Sequence, residues 1–208
     1  MHFITYIIPK TILKTGSFYN RDIRVVEEAL TYKLLVNGAT ETGPYIRKLL
    51  LYAFKKFNIS KEKNVNNILV LGVAGGAIIH MLHDMYPKAY ITGVDIDAVM
   101  IEIGNKYFEL SSIKKLKLVV EDAKDYVKNC KTIYDCVVID LFIGRDIPAF
   151  VSKIYFLRRV KKLLSSSGFV FINYLKELEY PKALEKEYNS VVHYDKDYNR
   201  FFLAKKNL

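Results

Sequence analysis

Cysteine is scarce. Cys130 and Cys136 are the two in 208 residues, and positions six apart, one near a predicted helix end and one inside an apolar strand, fit neither a metal pattern nor a disulfide framework. Long apolar runs are missing as well, since none approaches the roughly 18 residues that a membrane span needs. The opening "MHFITYIIPK" carries one short apolar run with no basic start before it and no small-residue cleavage site after it, which argues against a secretory signal. No internal repeat or low-complexity tract is visible. These absences exclude a disulfide scaffold, a membrane span and a repeat array, and the expected setting is reducing and cytoplasmic.

The chain does have apolar residues, 51% of the total, enough at this length for one main core and a small appendage. It also has excess base. Lys and Arg number 32 against 22 Asp and Glu, a formal charge of +10, which suits an acidic partner. The basic residues are scattered, however, through "RKLLLYAFKKF", "IKKLKL" and "LRRVKKLL", where each set can occupy the wet face of an amphipathic element. Nucleic acid is therefore not the expected partner, although the charge leaves it open.

Residues 17 to 40 read as a β-hairpin. Ile23, Val25, Tyr32, Leu34 and Val36 fall at period two, and Asn37-Gly38 ends the second segment as a turn pair. From Tyr45 the period becomes helical, through Ile46, Leu49, Leu50, Ala53 and Phe57, with Pro44 just before it as a helix start tolerates. Beyond Lys61, apolar strands alternate with helices: "NILVLG", "AYITGVDI", "LKLVVED", "YDCVVIDLF" and "GFVFINY", with helices reaching about Met85, Phe108, Asn129 and Leu164. Strands this apolar, separated by helices, indicate a doubly wound α/β fold with a Rossmann-like, mostly parallel sheet. The closing "YNSVVHYD" and "NRFFLAKK" flank a turn at Lys196-Asp197 and predict an antiparallel C-terminal edge pair. The expected division is a hairpin region over 1–44 and a cofactor-binding catalytic domain over 45–208, with the hairpin folded over the cleft or onto a second subunit, because an isolated hairpin is marginal in water.

In such sheets ligands bind beyond the carboxyl ends of the strands. Gly72, Ala74, Gly75 and Gly76 lie there after the first strand and open a helix, where glycine permits close backbone approach and free N–H groups favour an anionic or strongly polar ligand group. Asp95 ends the second strand, placed to accept hydrogen bonds from both ribose hydroxyls of a nucleoside. Asp97 reads better as the cap of the helix beginning near Ala98. Asp122 ends the third strand and either accepts from an adenine amino group or caps a helix. Asp140 ends the fourth, facing the cleft from a rigid element as a base or a partner for a cationic group. His80 and His83 share a helix face but lack further ligands nearby, so no metal site is expected. Cys136 lies in a buried strand with no activating base beside it.

At this point the chain resembles a known family. "ILVLGVAGG", "GVDIDAVMIEIGNKYF", "LVVEDAKDYV" and "YDCVVIDLF", followed by "FLRRVKKLLSSSGFVFIN", are similar to the spermidine-synthase-like branch of the S-adenosylmethionine-dependent methyltransferase superfamily, and "YNRDIRVVEE", "LLVNG" and "GPYIRKLLL" resemble its N-terminal hairpin and first helix. The resemblance implies that Gly72 and Gly76 belong to the cofactor turn, that Asp95 binds ribose, that Asp122 contacts adenine and that Asp140 is the catalytic aspartate. Ala74, Gly75, Ile96 and Ala123 join the cofactor set, Tyr45 becomes a substrate-side catalytic residue, and Tyr45 and Tyr174 are placed near the cleft. Two positions depart from the family's aminopropyltransferases, which carry an aspartate inside the glycine turn and another three residues after the catalytic one. Here they are Ala74 and Ile143.

Those departures bear on the donor. Decarboxylated S-adenosylmethionine ends in a bare ammonium, which a buried site accommodates only with a carboxylate partner, and Ala74 supplies none. S-adenosylmethionine itself adds a carboxylate that helix N–H groups can hold. The expected function is methyl transfer from S-adenosylmethionine to a small, unidentified acceptor. The alternatives are an aminopropyltransferase of polyamine biosynthesis using the decarboxylated donor, and an inactive cofactor-binding scaffold. Self-association into a homo-oligomer is left open.

Overall fold

In a computed structural model, residues 8–144 and 146–207 are described. The chain begins with β1 (Lys10–Thr15), β2 (Ile23–Glu28), β3 (Thr31–Val36) and β4 (Ala39–Thr42), which form an antiparallel sheet in the order β1-β2-β3-β4. The expected hairpin is the β2-β3 pair at its centre. The strands on either side were not anticipated, because "KTILKT" and "ATET" are short and mostly polar and carry no clear period. Asn37 and Gly38 form the turn between β3 and β4, both at positive φ, as that dipeptide favours. The β2-β3 turn instead uses Ala29 and Leu30 at φ 49° and 61°, a conformation that L residues with a Cβ adopt at a cost.

After α1 (Pro44–Lys56) the chain alternates through β5 (Asn67–Leu71), α2 (Ala77–Met85), β6 (Tyr90–Asp95), α3 (Ala98–Tyr107), β7 (Leu116–Val120), α4 (Ala123–Asn129), β8 (Tyr134–Ile139), α5 (Ile154–Leu163) and β9 (Leu164–Leu175). A short α6 (Ala183–Glu187) precedes β10 (Ser190–Lys196) and β11 (Asn199–Lys205). The second sheet runs β10-β11-β9-β8-β5-β6-β7. Five of its strands are parallel, and β11 and β10 add antiparallel at one edge. Their turn falls at Asp197-Tyr198, one residue beyond the expected pair.

Both faces of the central strands are apolar because both are covered. Ile68 and Val70 of β5, with Cys136 and Val138 of β8, face α1 and α2; Leu69, Leu71, Val137 and Ile139 face α4 and α5. A third cluster joins the sheets. Ile23, Val25, Leu34 and Val36 pack on Met100 and Ile103 of α3, so the N-terminal sheet buries its apolar face against the Rossmann-like unit and roofs the carboxyl ends of the strands. No helix among the described residues is long and apolar enough to cross a membrane.

Candidate active site

Strand order reverses between β5 and β8, because the chain proceeds from β5 to β6 and β7 on one side and then returns to β8 and β9 on the other. A crevice opens beyond the strand ends at such a point. Here Gly72 follows β5 at φ 92°, and a Cβ on it would lie 2.0 Å from the Asp140 carbonyl oxygen, so glycine is required. The neighbouring backbone turns again at Ala74, φ 45°. Gly76 then begins α2, whose N-terminus no side chain caps. Ala77 and Ile78 of its first turn line the cleft, and no side-chain cap takes up the first N–H groups of the helix.

The cleft has two connected compartments. The inner one is bounded by Gly72, Ala74, Asp95, Ile96, Asp122, Ala123 and Asp140. The outer one is lined by Tyr45, Asn173, Leu175, Glu177, Tyr198 and Asn199. Glu41, Ile46, Leu50, Asp140, Phe142 and Gly144 belong to both. The fold thus brings together eight of the ten candidate residues on shared walls, if Tyr45 is counted at the outer one. Gly75 and Gly76 stand behind: the Gly75 N–H donates to the Thr42 hydroxyl at 3.1 Å, and Gly76 packs against Leu110.

Asp95 is fastened to the turn it faces. Its Oδ2 accepts from the Val73 and Ala74 N–H groups at 2.9 and 3.2 Å, and its Oδ1 from the Asp97 N–H at 2.9 Å. A carboxylate offers about four acceptor positions, so about one remains for a ribose hydroxyl rather than two. Burial raises this carboxyl above its ordinary range, while the three N–H groups pull it back. Asp97 caps α3 through the Val99 N–H at 3.1 Å, and its other oxygen accepts from the Ser17 hydroxyl and from Asn20 Nδ2 at 2.9 Å. That second task ties the loop before β2, with Tyr19 and Asn20, over the inner compartment. Asp122 caps α4 through the Lys124 N–H at 2.7 Å, the helix-cap reading, and also lines the cleft.

Asp140 stands where the compartments meet. Asn199 Nδ2 donates to Asn173 Oδ1 at 2.7 Å, and Asn173 Nδ2 donates to Asp140 Oδ1 at 2.9 Å, a chain of amides that fixes the carboxylate from the antiparallel edge. Burial pushes the Asp140 carboxyl up to about 6, partly offset by Asn173. Tyr45 is half exposed at the outer rim, where its hydroxyl donates to Asp197 at 2.9 Å. Tyr174 faces away from the cleft: it is buried against Phe202, while its neighbours Asn173 and Leu175 line the outer wall, because successive strand residues point to opposite faces. Ile143 is half exposed and bridged to Asp146 at the inner rim. His80 is occupied by the Phe108 carbonyl at 2.6 Å, and burial pushes the Cys136 thiol up, away from the reactive thiolate.

Glu41, Thr42, Asn20, Asn173 and Asn199 were not among the sequence candidates. Asn173 had a legible signal, a lone amide near the carboxyl end of the apolar strand "GFVFINY". Glu41 had none, since "ATET" shows no period to place it on a face.

Residues 53–199 match the spermine/spermidine synthase domain. The chain is 33% identical over 133 residues to the polyamine aminopropyltransferase of Vibrio vulnificus, covering 62% of this chain and 42% of that protein. It is 31% identical over 118 residues to the eEF1A lysine and N-terminal methyltransferase homolog of Drosophila melanogaster, covering 51% of this chain and 17% of that one. The chain thus spans well under two thirds of either relative. Its fold matches a probable spermidine synthase from Corynebacterium glutamicum with a TM-score of 0.77 at 17% identity, covering 95% of this chain and 80% of the other.

Proposed function

Because the chain belongs to the spermine/spermidine synthase domain family, we propose that it is a transferase that takes the methyl group of S-adenosylmethionine. The observation that carries this reading is the wall at Ala74. The turn presents no acid there, and beside it the first N–H groups of α2 have no side-chain cap. A helix N-terminus stabilises a carboxylate by about 0.3 to 1 kcal/mol in exposed settings and more when partly buried, and S-adenosylmethionine has that carboxylate whereas its decarboxylated form does not.

The residues present fit the donor. Asp95 and Asp122 face the inner compartment for the nucleoside, and Asp140 points to where the compartments join. When bound, S-adenosylmethionine supplies an electrophilic methyl on a sulfonium. Asp140, held by Asn173, orients the acceptor, and the roof formed by β4 and the loop before β2 limits water at the reacting centre. Catalysis on this reading rests mainly on alignment.

Aminopropyl transfer is the second reading, favoured by the relative from Vibrio vulnificus and by the acids that line the cleft. Competition binding separates the two. The unmodified chain is expected to prefer S-adenosylmethionine over the decarboxylated form, and Ala74→Asp to narrow or reverse that preference by about tenfold, or 1.4 kcal/mol. Ala74 already has positive φ, a conformation aspartate tolerates better than most residues, so the variant tests charge with little added backbone strain. Tighter binding of the decarboxylated donor by the unmodified chain, with aminopropyl transfer to putrescine, overturns the methyl reading.

A further inference from the structure

We propose that the open edge of the seven-stranded sheet, where β10 runs beside α1, docks an extended acidic polypeptide that adds to β10 as a further strand. The proposal stands on this surface alone and is independent of which group the enzyme transfers.

Along the sequence the basic residues are scattered, but folding gathers one set of them. α1 carries Arg47, Lys48, Lys55 and Lys56 and no acid. Its residues meet β10 and the turn after it in antiparallel order. The Tyr45 hydroxyl donates to Asp197 at 2.9 Å, the Lys196 ammonium lies over the Tyr52 ring at 5.8 Å, and the Lys56 ammonium lies over Tyr194 at 5.8 Å and over Tyr52 at 5.7 Å. The opposite flank of α1 turns to α2, where Arg47 reaches Asp84. The flank with Tyr52 and Lys56 therefore looks out over the sheet edge, and Lys48, four residues before Tyr52, continues the row. The row begins at the mouth of the outer compartment, which Tyr45 lines, so a docked segment is held beside that opening.

The acids nearby are already committed. Asp195 accepts from two guanidinium nitrogens of Arg200 at 2.8 and 3.0 Å, Asp197 takes the Tyr45 hydroxyl and sits 3.4 Å from the Lys196 ammonium, and Glu62 pairs with Lys205. Lys48, Lys55 and Lys56 are exposed and have no ion pair with a described residue. Aromatic rings hold the ammonium groups in place without neutralising them, so an acidic partner is attracted here and a basic one repelled.

The edge itself supplies the rest. β10 is the last strand of its sheet and pairs with β11 along its whole length, and no backbone hydrogen bond from another described element reaches it. Alternate residues of such a strand turn their N–H and C=O groups outward with no partner. Val192 is half exposed and shares the α1 face of the strand with Tyr194 and Lys196. A strand added here would bring every second side chain to that face, which selects acids at alternate positions. Nucleic acid fits less well, because the rings that could stack a base already lie under ammonium groups. A phosphate also accepts hydrogen bonds without donating to the outward C=O groups. Lysine guards open edges against self-pairing too, and the experiment separates guarding from docking.

The test uses the full chain and the peptide Ac-Glu-Thr-Glu-Thr-Glu-Thr-Glu-NH₂, followed by fluorescence anisotropy of a labelled copy in about 0.15 M salt and by amide hydrogen exchange over residues 190–196. Saturable binding is expected, with slower exchange across 190–196 and an affinity loss of about tenfold or more in the double variant Lys56→Glu, Lys196→Glu. The matched variant Lys114→Glu, Lys117→Glu makes the same change of charge at exposed lysines on or beside β7, the opposite edge, and should stay within about threefold of the parent. The same peptide N-methylated at its three central amides should bind poorly, because it cannot complete a ladder. No saturable binding overturns the proposal and leaves the lysines as guards of the edge. Equal losses in the two double variants, unchanged exchange at 190–196, or full binding by the N-methylated peptide overturns it as well, and so does tighter binding of a single-stranded oligothymidylate of equal charge. The exchange measurement needs no variant, so a poorly folding substitution leaves the test intact.

Discussion

On the sheet side of the cleft, Asp95 accepts three backbone N–H groups and Asp122 one, whereas on the roof side Glu41 accepts none from a described residue. The strand ends supply donors because every crossover begins a helix or a tight turn there, and its first N–H groups need acceptors. The roof is an antiparallel sheet, whose N–H groups are largely spent in the ladder. An acid on the sheet side therefore doubles as structure, and an acid on the roof is left to answer to a ligand. Asp140 lies between these cases, with one oxygen held by Asn173.

The sharpest way to break this contrast is at Asp140. Asp140→Asn should lower transfer by about 10² to 10⁴-fold if the group acts as an acid–base partner, while the melting temperature changes little. A rate within threefold of the parent would remove Asp140 from the reaction. Asp95→Ala is expected next, and it should damage two properties at once: cofactor affinity and fold stability, the latter by about 3 kcal/mol, since three N–H groups lose their acceptor. Denaturant titration alongside cofactor binding checks it; an affinity loss with unchanged stability would mean that the turn does not depend on Asp95.

Glu41 predicts the opposite sign. Its carboxyl is raised to about 8, so the folded chain holds a proton that the unfolded chain gives up. That contribution is complete below the ordinary carboxylate range and is lost as pH climbs through about 8. Stability of the parent should decline across this window, and Glu41→Gln should flatten the decline, becoming the more stable form above it by about 2 kcal/mol. Parallel pH profiles for the two proteins would contradict the assignment. The smallest effect concerns the roof's own turns. Replacing Ala29-Leu30 with Asn-Gly, the pair that serves between β3 and β4, should add about 1 kcal/mol by relieving two positive φ angles. Unchanged thermal melts would mean that the roof's docking on α3 already masks the strain.

Much of the sheet side was legible in the chain itself. Period and turn chemistry placed the parallel strands, and each acid at a strand end was marked by position, since "VVED" or "VVID" closes an apolar run where a cleft must open. Asp97 as a helix cap followed from its place before Ala98. The direction of Tyr174 was carried by resemblance, and strand alternation in the folded sheet turned it into the core. Tyr45 stands at the outer rim, where its hydroxyl donates to Asp197.

Local sequence determined the alternating strands and helices and the sheet-side acids, because each depends on neighbours within a few residues. Tertiary structure alone decided that β1 and β4 complete the roof, that Asn199 steadies Asp140 through Asn173, and that Glu41 meets Asp140 across the cleft. The last two relations join residues 26 to 99 positions apart, and the burial and charge that set a carboxyl's proton affinity exist only once distant segments have excluded water together.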